Sequence, residues 1–313
     1  MGFSVPVDTP RESDPAAIDP RAVRKHFARA AATYDAAAVL QREVGARMME
    51  RLDVIRLAPG AILDAGCGTG EALPELAARY PRARRVAVDV ALPMLAAART
   101  RTRENRSLLL RLLSPLGGRP PGAPALVCAD ISALPFAAGA FGLVWSNLTL
   151  QWAPALPQAI AEFHRVLDVG GLVTFTTFGP DTLKELRAAF AGVDVHPHIA
   201  RFADMHDIGD LLVQAGFADP VMQMEMLTLT YLDARAVARD LKAIGATNAA
   251  HARPRALMGR RRWERALAAL DGLRRDGRIP ATFEVIYGHA WKAAPARTAE
   301  GHAIVRVERK PRG

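Results

Sequence analysis

Short apolar runs alternate with amphipathic stretches along most of this chain. The runs at 61–65, 86–90, 125–131, 141–147 and 170–178 have the length of buried strands, while 92–102 and 156–167 repeat apolar residues at helical steps between them. That alternation predicts an α/β fold, a doubly wound and mostly parallel sheet. Residues 22–57 read as helical, with Val23, Phe27, Ala30 and Tyr34 recurring every three or four positions, which predicts a helical cap across the sheet. Later, 222–231 alternates like a strand, 233–278 reads as helices, and 281–291 returns to a strand. A helical insertion before the last strand is expected to form a lid over the site.

The first strand runs into Asp64-Ala-Gly66-Cys-Gly68-Thr-Gly70, and a helix is expected from Glu71 to Arg79. Glycines at alternate positions let a ligand touch the backbone and permit turn dihedrals closed to other residues, and the helix amides point at whatever fills the turn. The spacing is one residue shorter than the dinucleotide fingerprint and carries an acid two residues before the first glycine. An acid there repels phosphate and attracts an ammonium, so S-adenosylmethionine suits this turn better than a pyrophosphate cofactor does.

The next strands end in polar groups where ligands of such sheets bind. Asp89 follows the glycines by about 20 residues, the place for an acid that holds ribose hydroxyls. Asp130 is positioned for the adenine amino group with Ile131 against the ring, and Asn147 ends the fourth strand.

Together these motifs resemble the class I S-adenosylmethionine-dependent methyltransferases, which implies a seven-stranded, Rossmann-like sheet. More specific pieces are Phe27-Ala-Arg-Ala-Ala-Ala-Thr-Tyr-Asp35 with Leu40-Gln-Arg-Glu43, Trp145-Ser-Asn-Leu-Thr-Leu-Gln-Trp152, Thr177-Phe-Gly-Pro-Asp-Thr-Leu-Lys-Glu-Leu186 and Leu241-Lys-Ala-Ile-Gly-Ala-Thr247. They are similar to the BioC-type malonyl-acyl carrier protein O-methyltransferases of biotin synthesis, over roughly residues 20–293. The resemblance implies that Tyr34 lies over the cofactor and that Tyr34, Asn147, Gln151, Trp152, Phe178, Arg201 and Lys242 place the malonyl end. Ala200 stands where the family often has an asparagine before Arg-Phe, and a basic insertion at 101–124 separates the second helix from the third strand. Methyl transfer to a carboxylate, already ionised at neutral pH, needs no general base.

At 313 residues, half of them hydrophobic, the chain suits one elaborated domain over 19–293 (cap 19–58, cofactor core 59–231, lid 232–278, last strand 279–293) rather than two independent ones. Residues 1–18 are expected to be disordered and 294–313 to fray. No stretch is long and apolar enough to cross a membrane and no secretory core segment is present, so a cytoplasmic protein is expected. Cys67 and Cys128 cannot make a disulfide framework and are expected to be small, buried filler, Cys128 in a central strand. No Cys/His cluster has the spacing of a metal site.

The net charge of +9, concentrated in arginines of 251–278, favours an acidic partner, and acyl carrier proteins are acidic. Trp263 is the sole aromatic of that basic stretch, which weighs against nucleic acid. Two other functions fit the same fold: a relative of the complex I assembly factors that modifies a protein arginine, and a non-catalytic S-adenosylmethionine-binding protein.

Overall fold

The computed structural model describes residues 18–104, 122–193, 196–251, 253 and 258–294. The readings of residues 1–17, of most of the insertion and of the tail from 295 onward lie outside these. Ile18, expected to be disordered, bridges to Ala250.

Three helices open the chain: α1 (Pro20–Ala30), α2 (Tyr34–Ala37) and α3 (Val39–Arg51). The core follows as β1 (Ala61–Ala65), α4 (Leu73–Arg79), β2 (Arg84–Asp89), α5 (Leu92–Glu104), β3 (Ala125–Cys128), β4 (Phe141–Ser146), α6 (Leu156–Val166) and β5 (Leu167–Phe178). Beyond it come α7 (Lys184–Ala191), α8 (Met205–Gln214), β6 (Phe217–Tyr231), α9 (Ala234–Ala243), α10 (Arg260–Asp271) and β7 (Ile279–Lys292). The strands form one sheet in the order β3-β2-β1-β4-β5-β7-β6. The first five pair in parallel, and β7 lies antiparallel between β5 and β6.

β1 is buried at all five positions because strands flank it on both edges and helices cover both faces. Edge strand β6 alternates half-buried and exposed residues instead. On one face Leu40, Val44 and Met48, successive stripe positions of α3, pack with Leu76 of α4 against Ile62, Leu143, Trp145 and Leu172. Ile160 and Phe163 of α6 and Ile208 and Leu212 of α8 cover the other.

Several expectations are corrected. The cap is broken at residues 31–33, where the Thr33 hydroxyl donates to the Ala30 carbonyl and, at 2.9 Å, to the Ala243 carbonyl. The helix after the glycines starts at Leu73, so Glu71 and Ala72 belong to the turn. α5 runs through Arg101 to Glu104, which shortens the insertion. Cys67 is buried, but Cys128 is exposed, because β3 is an edge strand rather than a central one.

Candidate functional site

Two chambers meet at the carboxyl ends of β1, β2, β3 and β4, roofed by the N-terminal cap. The larger has an empty volume of about 710 Å³ and is lined by Tyr34, Gly66, Gly68, Asp89, Asp130, Ile131, Asn147 and Trp152, with Val23 and Phe27 of α1 above. The smaller, about 480 Å³, is lined by Asp64, Cys67, Thr69 and Gln41 and shares Tyr34, Gly66, Gly68 and Asn147 with the first. Both volumes are in the range of small-molecule sites.

The glycine turn makes the floor. All three glycines have positive φ, and the reason for each differs. A Cβ on Gly66 would run into the Thr149 side chain, so this position is closed by packing. Over Gly68 the nearest atom to such a Cβ is Tyr34 Cε1 at 3.9 Å, leaving open backbone for a ligand to rest on. Gly70 faces away, toward Ala98 and Leu73.

Asp64 and Asp89 are acids beside this turn. Asp64 is 3% exposed, and its Oδ2 has no hydrogen-bond partner. Burial, with the neighbouring Asp89 carboxylate second, pushes its pKa up to about 8. A buried carboxylate oxygen without a donor fits a cationic amino group, which is the donor it lacks. Asp89 accepts from Gly68 N at 3.0 Å and Ala91 N at 2.8 Å. Burial raises it to about 6 against these backbone donors. Asp130 accepts from Ser132 N at 2.8 Å, fixing its side chain beside Ile131 at the far end of the larger chamber.

A latch from three segments closes the cap. Asp35 of α2 accepts from Thr69 Oγ1 at 2.6 Å and from Arg101 at 2.6 Å. Arg101 also pairs with Glu71 at 2.6 Å and donates to the Thr69 carbonyl at 3.1 Å. Tyr34 is thereby held over the turn; burial and then the Asp89 charge raise its phenol pKa, so the hydroxyl stays protonated. The Cys67 thiol is raised by burial and by Asp64, which makes it an inert part of the wall.

The structure thus brings Tyr34, Asp64, Gly66, Gly68, Asp89, Asp130, Ile131, Asn147 and Trp152 to one site, and leaves other expected residues outside it. Asn147 lines both chambers, but its amide is committed: it donates to the Gln41 carbonyl at 2.9 Å and accepts from Thr176 Oγ1 at 2.7 Å, tying α3 to β5. Gln151 is likewise occupied, donating to the Leu148 carbonyl and accepting from Thr177 Oγ1. Phe178 is core, packed on Phe202 and Phe283, while Trp152 meets Phe27 edge to face at 5.3 Å in the chamber wall. Arg201 and Lys242 are exposed and line neither chamber. The described residues of the expected lid also line neither; they stand beside the cap, joined through Ala243 and Ala250.

Asp35 and Arg101 are among the site residues missed in the sequence, as are Gln41 and Thr69 of the smaller chamber. Asp35 ends a motif already singled out, but its partners lie 34 and 66 residues away, and no local pattern marks that pairing.

A glycine turn under an acid-lined, capped chamber at the carboxyl edge of a sheet ordered 3-2-1-4-5-7-6 defines a class I S-adenosylmethionine-dependent methyltransferase. A methyltransferase-domain family model matches residues 63–175. The fold is shared with the crystal structure of the YcgJ protein from Bacillus subtilis, at TM-score 0.55 and 14% identity over 81% of this chain and 100% of that one. Sequence relatives are far nearer. A malonyl-acyl carrier protein O-methyltransferase of Gallionella capsiferriformans is 53% identical across 94% of this chain and 98% of its own length. The protein of the same name from Laribacter hongkongensis is 56% identical across 88% of this chain and 90% of its own. The chain belongs to the malonyl-acyl carrier protein O-methyltransferase family.

Proposed function

We infer that this protein methylates the free carboxylate of malonyl-acyl carrier protein, using S-adenosylmethionine, in an early step of biotin synthesis. Four relatives 51–56% identical carry that activity as their name, and neither arginine modification nor cofactor sensing is favoured. The observation in the site that carries the reading is the unpartnered Asp64 oxygen beside the glycine turn.

In this reading Asp64 takes the ammonium end of S-adenosylmethionine, Asp89 the ribose hydroxyls, and Asp130 with Ile131 the adenine. When bound, the cofactor supplies a methyl group on a positively charged sulfur. The protein's part is placement: the acceptor carboxylate must face that methyl in line, at about 3–3.5 Å, with water excluded. Tyr34 and the latched cap exclude the water; Trp152 and Phe27 wall the chamber. Asn147 and Gln151 act through the elements they hold together. Phe178 supports Phe202 beside Arg201. As exposed cations outside the chamber, Arg201 and Lys242 cannot reach the acceptor's less reactive carboxylate oxygen, and they serve as anchors for its thioester carbonyl.

The acidic carrier complements the basic chain, whose sequence carries +9. No helix among the described residues is long and apolar enough to cross a membrane. A cytoplasmic setting is part of the reading.

The test is to incubate the pure protein with methyl-labelled S-adenosylmethionine and malonyl-acyl carrier protein. A base-labile methyl ester on the carrier is expected; absence of label would overturn the reading. Arg201→Ala and Lys242→Ala are each expected to raise KM for the carrier substrate, and unchanged KM and kcat in both would end their anchoring role.

A further inference from the structure

α1 is a helix with two unlike faces. Val23 and Phe27 line the larger chamber, so this helix is part of the roof over the site. The opposite face carries Arg21, Arg24, Lys25 and Arg29, all exposed. They lie three, four and eight residues from the first, which places them on one side of the helix. The helix contains no carboxylate, and among the described residues none of these four side chains has an ion-pair partner.

Part of the basic surface is different, and Arg261 and Arg262 of α10, which are also exposed and have no ion-pair partner among the described residues, lie on a helix that lines neither chamber. In the expected docking region, Arg260 is paired with Glu264 and Arg274 with Asp271, and on α9 Arg239 is paired with Asp233. Those arginines are already compensated by their own neighbours. On α1, like charges sit at helical neighbour spacing, where they repel one another, and an anionic partner would relieve that repulsion.

We propose that the Arg21-Arg24-Lys25-Arg29 face of α1 is the docking surface for the acidic acyl carrier protein. The proposal rests on the carrier-bound acceptor inferred above. Docking there sets the carrier on the helix whose other side roofs the reaction chamber. The carrier's charge complements an uncompensated row of cations, and the acceptor arm needs only to pass the edge of the cap. Complementarity of this kind acts mainly on encounter and orientation, and is weakened by salt.

The experiment compares malonyl-acyl carrier protein with malonyl-pantetheine thioester, which has the same reacting end and no protein. The test protein is the R24E/K25E/R29E variant, with R261E/R262E on α10 as comparison. The α1 variant is expected to lose kcat/KM on the carrier by about tenfold or more, as expected for reversed steering charges. It should keep its rate on the pantetheine thioester within about twofold and its affinity for S-adenosylhomocysteine, because neither depends on docking. The α10 variant should change carrier kinetics much less. Should charge reversal unfold the helix, the neutral R24Q/K25Q/R29Q variant carries the same test with a smaller loss.

Wild-type kinetics on the carrier in the α1 variant, or equal losses on both acceptors, would overturn the proposal. Retention of wild type but not variant on anionic vesicles or on RNA, with carrier kinetics unchanged, would reassign the face to a membrane or a nucleic acid. A wild-type protein that methylates neither acceptor would instead overturn the inferred activity.

Discussion

Asp64 holds a proton at neutral pH that an unfolded chain would have released, because burial disfavours its charged form. Its carboxyl titrates near 4 when unfolded and at about 8 in the folded protein, so stability of the ligand-free protein falls as pH rises through that window. Asp89, raised to about 6, adds to the same decline over its lower half. Asp64→Asn removes the larger contribution: its melting temperature should depend less on pH and exceed that of wild type at pH 8, measured by thermal unfolding without ligand. The same variant should bind S-adenosylhomocysteine at least about tenfold more weakly in calorimetry, as when a hydrogen-bonded charge loses its partner. A variant that melts with the wild-type pH dependence and keeps full affinity would remove Asp64 from the site. The acid was legible in the sequence through its spacing from the glycines. Its missing partner was not, since that depends on what the surrounding chain leaves unfilled.

Among the elements, the glycine turn and the cap make contrasting predictions. Gly66→Ala forces a side chain against Thr149 at a residue with φ of +83° and should both lower the melting temperature and abolish cofactor binding. Gly68→Ala meets open space at φ +52°, so it should cost about 1–2 kcal/mol of backbone strain while still filling the surface a cofactor would rest on. Parallel melts and binding titrations separate the two. Arg101→Ala removes the ion pair that ties Asp35 of the cap to α5, together with the Arg101 contacts to Glu71 and the Thr69 carbonyl, and leaves the latch only the Thr69 hydroxyl on Asp35. These ion pairs are partly exposed, so global stability should fall by no more than about 1 kcal/mol. Dissociation of S-adenosylhomocysteine, followed by stopped flow, should accelerate several-fold; an unchanged off-rate would mean that the cap opens without breaking the latch. The strands and their polar ends were readable because apolar runs and turn glycines are local signals. The latch joins α2, the glycine turn and the last turn of α5, which meet only after the sheet has formed.

For the molecule as a whole, a ligand that binds only the folded state adds stability by mass action. S-adenosylhomocysteine at a hundred times its Kd should contribute about 2.7 kcal/mol and raise the melting temperature by several degrees, and the tenfold weaker Asp64→Asn variant should gain about 1.4 kcal/mol or less at the same concentration. The sequence by itself determined the doubly wound sheet, the cofactor edge and the residues at its strand tips, because strand periodicity, glycine spacing and the position of acids are written within a few residues of one another. Tertiary structure decided which segment roofs the site. It set the N-terminal cap there and the later helical insertion beside it, left Arg201 and Lys242 in the open, and committed Gln151 and the Asn147 amide to holding elements together. A side chain's partners are fixed by packing between segments distant in the chain, and a local pattern of residue types does not contain that distance.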